Sequence, residues 1–207
     1  NREEALHRGV KIDYDSINAI DFPYFCECCD RLFSGRKAML PVFDFVSAAR
    51  TGYVECNPAD YDIIAFEGIQ AIYPEIRAKL SEHGFMSLFI NVEGPVCIDH
   101  QVFTGREIRF ARRMVRDFYF RNSKAEFTMF MWESVTENED KNMMPYAHLS
   151  DIRIDSFIPY ELNMIKEPLE EILSTVPVSD QHYQQAADFR ARFAHIQPIS
   201  RAYLPKD

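Results

Sequence analysis

The chain has 207 residues, a formal net charge of −9 at pH 7, 47% hydrophobic and 27% charged residues. That is ordinary soluble globular composition, with room for one sizeable core rather than several full domains. The acidic balance disfavours nucleic acid and anionic membranes as partners, and nowhere do the roughly 18–20 uninterrupted apolar residues of a membrane helix accumulate.

The N-terminus, Asn1-Arg2-Glu3-Glu4, is polar, carries no signal-peptide pattern and lacks an initiator Met, so the expectation is a chain that begins inside a longer protein. A short helical signal lies around Asp15 to Ile20. Asp21 then has the character of an N-cap, Pro23 falls in the first turn, and Phe22, Phe25, Cys26, Cys29, Leu32 and Phe33 recur at helical spacing before Gly35. An extended segment follows from Ala38 to Phe45, with Thr51-Gly52 read as a turn and Tyr53 to Cys56 as the returning strand. Asp62-Ile63-Ile64-Ala65-Phe66, ending in Glu67-Gly68, suits a strand buried on both faces of a parallel sheet.

Helical spacing resumes from Ile72 to Leu80 and ends near Gly84, after which Phe85 to Val92 reads as a second buried strand. A long helix starts near Arg106, breaks around Asn122-Ser123 and restarts toward Trp132 and Val135. Ile152, Ile154 and Phe157 mark one more strand, and helices follow from Glu161 to Thr175 and from Asp180 to His195. Short apolar strands alternating with helices make an α/β fold with helices on both faces of the sheet. The last stretch, Gln197 to Asp207, has no stop signal, which suggests a chain cut short.

The arginine segment Arg106 to Arg121 stands out, with six arginines against two acids in an acidic chain. Arg109, Arg112, Arg113 and Arg116 fall at i, i+3, i+4 and i+7, along one helical face. Like charges stacked in this way cost stability unless an anion or carboxylates sit opposite. Arginine suits planar, bidentate recognition of phosphate, while the alternative is a solvated face paired with acids elsewhere. Glu67, at the end of the Asp62 run, lies where open α/β sheets place ligands and where phosphoryl-transfer enzymes hold Mg²⁺; it could equally cap the next helix. Phe43 and Phe45, two apart in an extended segment, share one side and are either core or a stacking surface for a planar ligand.

Other chemistry is not signalled. Cys26, Cys28, Cys29, Cys56 and Cys97 lack the spacing of a zinc site, so they read as reduced thiols packed as small hydrophobes in a cytoplasmic protein. His7, His83, His100, His148, His182 and His195 are scattered and carry no metal spacing. None of the seven glycines belongs to a Gly-x-x-x-x-Gly-Lys-Ser/Thr phosphate loop.

Read in order, four blocks resemble the uridine kinase and phosphoribulokinase family of P-loop kinases: Leu40 to Ser47, Ile64 to Ile69, Arg109 to Asp117, and Pro145 through Asp151. The Trp132 segment and the Pro198 to Pro205 tail are most similar to bacterial uridine-kinase-like proteins. The resemblance implies a three-layer P-loop kinase-like fold with a mainly parallel sheet, whose first strand and P-loop would precede Asn1. It places a kinase domain at 1–176 and a C-terminal helical extension of that domain at 177–207. The activity it implies is ATP-dependent transfer of the γ-phosphate to a hydroxyl of a nucleoside or related sugar-like substrate. ATP and Mg²⁺ are the implied cofactors, and this chain alone would be inactive.

By the same resemblance, Glu67, Arg116 and Arg121 are catalytic, with Glu67 near Mg²⁺, directly or through water. Arg112, Arg113, Arg116 and Arg121 form the phosphate or lid region. Phe43, Asp44, Phe45, Arg50 and Arg109 are the substrate residues. Uridine kinases typically carry Tyr at the position of Phe43 and His at that of Ala48, so polar readout of a pyrimidine is reduced here. A small molecule is the expected partner, homo-oligomerisation stays open, and neither nucleic acid nor membrane is expected. Two alternatives remain: a degenerate kinase relative kept as a binding or assembly module, and a phosphoribulokinase-like sugar-phosphate kinase.

Overall fold

The computed structural model describes residues 15–44, 47, 49–98, 100–200 and 202. After a 3₁₀ turn at Ile17–Ala19 come α1 (Phe22–Phe33), the strands β1 (Ala38–Asp44) and β2 (Ala49–Cys56), and α2 (Pro74–Ser81). Then follow β3 (Leu88–Asn91), β4 (Val96–Ile98), β5 (Gln101–Phe103), α3 (Gly105–Arg121) and α4 (Ala125–Asn138). A π-helical turn at Glu139–Met143 leads into α5 (Met144–Ala147), then β6 (Ile152–Asp155), α6 (Glu161–Ser174) and α7 (Tyr183–Phe193). The α/β class expected from the sequence is the one found. No described helix is long and apolar enough to cross a membrane.

The chain divides into two compact units. The first comprises the described part of Asn1–Phe89 with Ser134–Ile152, and the second comprises Ile90–Glu133 with the described part of Arg153–Asp207.

In the first unit, α1 begins where the sequence says it should. The Asp21 carboxylate accepts the Tyr24 N–H at 3.3 Å, and Pro23 occupies the first turn. It ends in a Schellman arrangement, with Gly35 at φ +76° and the Gly35 and Arg36 amides donating to the Leu32 and Arg31 carbonyls. Two of its faces are covered. Cys28 and Leu32 pack with Ala38, flanked by Tyr24, Leu40, Cys56 and Ile64, while Cys29 packs with Ile76 and Leu80 of α2. Burial pushes the Cys29 thiol up to about 11, consistent with a thiol acting as a small hydrophobe. Cys97 departs from that reading, because it is exposed on β4. A third small cluster gathers Ile72, Tyr73, Phe89 and Ala147.

Three sequence expectations shift here. The hairpin β1–β2 is antiparallel from Ala38↔Cys56 to Asp44↔Ala49, so Thr51-Gly52 lies inside β2 rather than at the turn. The chain reverses after Asp44, whose carboxylate accepts the Ser47 N–H (3.0 Å) and hydroxyl in a local Asx-type turn. Asp62 to Phe66 is not a strand, and Ile63 is 83% exposed. An apolar run becomes a buried strand only if neighbouring strands take its hydrogen bonds, and no described strand flanks this one. The Phe85 to Val92 strand contracts to β3, because the Ser87 N–H and hydroxyl turn to the Asp151 carboxylate at 2.7 Å each. β3 pairs with β6. The Ile152 amide donates to Ser87 and the Ser156 amide to Asn91, so both strands advance together and run parallel.

The second unit has a single larger core. Phe103, Ile108, Met114, Leu162, Leu169, Ile172 and Phe193 are all fully buried in it. These residues come from β5, α3, α6 and α7, so each helix contributes an apolar stripe to one common interior. At its start, α3 carries a complete capping box between Thr104 and Glu107. Gly105 is required there, since a Cβ would lie 2.1 Å from the Val92 carbonyl oxygen. The helix stops at Asn122, in the left-handed region at φ +49°, where the amides of Asn122 and Ser123 both fold back on the Asp117 carbonyl.

Candidate functional site

The sequence-predicted site residues fall on both units. In the first unit the hairpin register sets Phe43 opposite Arg50. Arg50 donates to the Tyr53 hydroxyl at 3.0 Å and to the Asp21 carboxylate at 3.1 Å. Its guanidinium carbon lies 5.7 Å from the Tyr24 ring centre and 5.6 Å from that of Tyr53, within cation–π range of both. Tyr24 meets Tyr53 edge-on at 6.0 Å and donates its hydroxyl to the Met39 carbonyl. Phe43 is 52% exposed, so it is not core. Arg50 is thus fixed between the rings of Tyr24 and Tyr53, on the strand position paired with the exposed Phe43. Asp44 is engaged in closing the hairpin turn. Phe45 and Ala48 lie outside the described residues.

Glu67 is exposed, in irregular backbone just after Phe66, whose ring packs against Phe25 and Phe33. The following 3₁₀ turn, Ile69–Ile72, has Gly68 at its N-cap and no side-chain capping bond, so Glu67 does not serve as that cap. A single solvent-facing carboxylate is a fitting ligand for Mg²⁺, which keeps much of its water shell and takes one or two carboxylates.

Elsewhere in the first unit, Asp30, Glu82 and His83 bring ligand atoms within 4.8 Å of one another. Lys79 already supplies the cation there, with Nζ at 2.5 Å from Asp30 and 2.9 Å from Glu82. The His83 ring is stacked on Phe33 at 4.2 Å. The cluster is therefore a satisfied ion-pair network at the surface.

In the second unit, α3 sorts its arginines by partner. Arg112 faces α6 and the strand end before it. It forms a bidentate pair with Glu161, donates to the Ser156 carbonyl at 2.7 Å and to the Ser156 hydroxyl at 3.1 Å. Arg113, Arg116 and Arg121 instead share one carboxylate. Asp117, only 5% exposed, lies 3.2, 3.4 and 3.2 Å from them respectively. These three side chains remain 21%, 50% and 28% exposed, so each still reaches solvent. Arg109 is half-buried on the same helix.

Asp117 carries no role in the sequence reading, although it stands four residues after Arg113 and four before Arg121, the spacing at which helical side chains meet. Tyr24, Tyr53 and Glu161 were missed as well. Nothing in their local sequence marks them, since they reach their partners through the fold.

At the start of α3, Glu107 completes the capping box and pairs with Arg192 of α7, which also donates to the Val102 carbonyl at 2.5 Å. Burial alone would raise the Glu107 carboxyl. Hydrogen bonds from Arg192 and Thr104 outweigh it and hold the group below its ordinary value.

Comparison with known proteins bears on both units. A family model described as "Phosphoribulokinase / Uridine kinase family" matches residues 1–161. The chain is 27% identical over 170 residues to the uridine kinase of Lactobacillus johnsonii, covering 80% of this chain and 72% of that protein. It is 25% identical over 165 residues to the uridine kinase of Saccharomyces cerevisiae, 76% of this chain and 30% of that one. With uridine-cytidine kinase C of Dictyostelium discoideum it shares 28% identity over 99 residues, 48% of this chain and 21% of that protein. The chain thus spans about a fifth to a half of the length of several relatives it matches. With a family match across more than three-quarters of its length, the chain belongs to the phosphoribulokinase/uridine kinase family.

Proposed function

We propose that the protein carrying this chain is an ATP-dependent phosphotransferase acting on a hydroxyl of a nucleoside or a related small, sugar-like substrate. The observation that supports this reading most is the convergence of Arg113, Arg116 and Arg121 on Asp117, within a block of sequence covered by the family match. Phosphoryl transfer depends mainly on positioning and on neutralising charge that develops on phosphate oxygens. Partly exposed guanidinium groups tethered to one buried carboxylate meet that need. Arg116 and Arg121 are the proposed catalytic pair, with Arg113 beside them and Arg112 securing the helix that carries them. Arg109 is proposed to reach substrate.

Phe43, Phe45 and Arg50 are the proposed substrate surface, with Asp44 shaping the turn between the strands. Exposed aromatic faces around a fixed cation favour a flat base or a hydroxylated ring, and Phe43 offers no hydroxyl for base-specific hydrogen bonds. Glu67 is the proposed Mg²⁺ ligand, directly or through water; the ion, when bound, would offset phosphate charge. In this reading residues 1–176 belong to the kinase domain, and 177–207 form its C-terminal helical extension.

The test is a kinase assay on the full-length protein with Mg-ATP against uridine, cytidine and ribulose 5-phosphate. Turnover of a nucleoside is expected, and Arg116→Ala should abolish most of it. Activity on ribulose 5-phosphate alone would move the substrate class to sugar phosphates. No turnover of any of the three would overturn the proposal. The 207-residue chain by itself contains no Gly-x-x-x-x-Gly-Lys-Ser/Thr sequence. It is expected not to bind Mg-ATP tightly, and tight stoichiometric binding in a titration would contradict that.

A further inference from the structure

We infer that Asp117 is a positioning residue, whose buried carboxylate holds Arg113, Arg116 and Arg121 in one pre-arranged set that meets a polyphosphate together. This rests on the phosphate-binding reading proposed above.

Three arginines on consecutive turns of a helix repel one another, and each long side chain has many rotamers to lose on binding an anion. A carboxylate between them removes both obstacles. Asp117 uses both oxygens, one facing Arg113 and the other shared by Arg116 and Arg121. Its own freedom is restricted, since it is buried on the flank of a helix whose neighbouring residues Ala111 and Met114 are fully enclosed. The bonds to Arg113 and Arg116 run through Nε, at the root of the guanidinium plane. Binding Nε fixes the orientation of the plane and leaves the terminal Nη groups of Arg113 and Arg116 outside that bond, as the edge by which a phosphate would be forked. The same helix supplies an internal contrast. Arg112 is engaged through Nε, Nη1 and Nη2 together, which leaves no edge for a ligand. The geometry thus separates Arg112, engaged along its whole guanidinium, from Arg113 and Arg116, engaged with Asp117 through Nε.

A mere counter-charge and a positioning residue make opposite predictions. If Asp117 only neutralised its neighbours, removing its charge would strengthen anion binding. If it orients them, Asp117→Asn weakens binding despite the gained positive charge. The experiment is calorimetric titration of the full-length protein with inorganic tripolyphosphate, for wild type, Asp117→Asn, Arg116→Ala and the double variant, with thermal melts alongside. We expect roughly tenfold weaker binding in Asp117→Asn, and a double variant no weaker than the worse single one, as for residues acting as a unit. Unchanged or tighter binding in a folded Asp117→Asn, or strictly additive losses, would overturn the inference.

Should Asp117→Asn fail to fold, wild-type protein decides by NMR of its arginine Nε–H groups before any ligand is added. Slowly exchanging, rigid signals for Arg113 and Arg116 are expected, and averaged, rapidly exchanging ones would overturn it. If wild type binds no tripolyphosphate at all, the phosphate-binding reading falls, and the positioning role, which has no other ligand, falls with it. Wild-type binding that Asp117→Asn leaves intact removes the positioning role alone.

Discussion

The two units solve the same electrostatic problem differently. In the first, Arg50 is satisfied at the surface by one acid and two tyrosines, above small clusters shared among α1, α2 and the hairpin. In the second, the arginines of α3 rest on a helix whose opposite side is locked into one larger interior, and a buried carboxylate organises three of them. On the function proposed above, the contrast teaches that a cation serving a flat, weakly charged ligand can be supported by rings and exposed acids. Cations serving a highly charged ligand need a stiffer base, because their mutual repulsion acts before the ligand arrives.

The contrast is most easily broken in the cores. Ile172→Ala, at a fully buried site of the second unit, should cost about 3–5 kcal/mol in urea denaturation, more than Leu32→Ala in a smaller cluster of the first. Equal losses would mean the second unit offers no stiffer base.

Next is the clamp on α3. Glu161→Ala strands the Arg112 guanidinium, 29% exposed, beside Ser156 and should cost about 2–3 kcal/mol by the same measurement. A loss below about 0.5 kcal/mol would place this pair with ordinary surface ion pairs.

Asp21→Ala in the first unit removes the α1 cap and the acid beside Arg50 together. About 1 kcal/mol is expected, nearly all from the cap, since the pair with Arg50 is largely exposed. Asp21→Asn, which keeps an N-cap acceptor, should recover most of it.

The smallest effect is in pH. The Glu107 carboxyl is held below its ordinary value in the folded protein, so its contribution to stability is complete above the unfolded carboxylate range. It fades as pH falls through the folded value. Melting temperature recorded from pH 7 down to about 3 should therefore drop less steeply in Glu107→Gln than in wild type. Parallel curves would show that the bond to Arg192 is as strong with a neutral partner.

Much of the scaffold was legible because its signals are local. The Asp21 cap, Pro23, Gly35 and the stop at Asn122 are written within a turn of the elements they bound. What failed depended on partners distant in sequence. Asp62 to Phe66 has the composition of a buried strand, yet a strand exists only where a neighbour accepts its hydrogen bonds. The hairpin turn is the exception, a local signal that was overlooked: a serine three residues after Asp44 bonds its carboxylate and sets the reversal there rather than at Thr51-Gly52. The arginine helix was visible, but its division of labour was not. Arg112 is withdrawn by an acid 49 residues away, and Asp117 gains its importance only once burial fixes which way it faces.

The order in which the chain visits its two units has a consequence for biosynthesis. It leaves the first at Phe89, returns at Ser134 and departs again after Ile152. An emerging polypeptide therefore cannot finish the first unit when its early helices and hairpin are made. Tyr73 must wait for Asn138, and Ser87 for Asp151, with the arginine helix already outside the ribosome in between. Neither half can be released by a single proteolytic cut or produced as an uninterrupted stretch of gene. The first unit can close only after Ile152 has emerged, and the second only after the helices beyond Arg153 have followed.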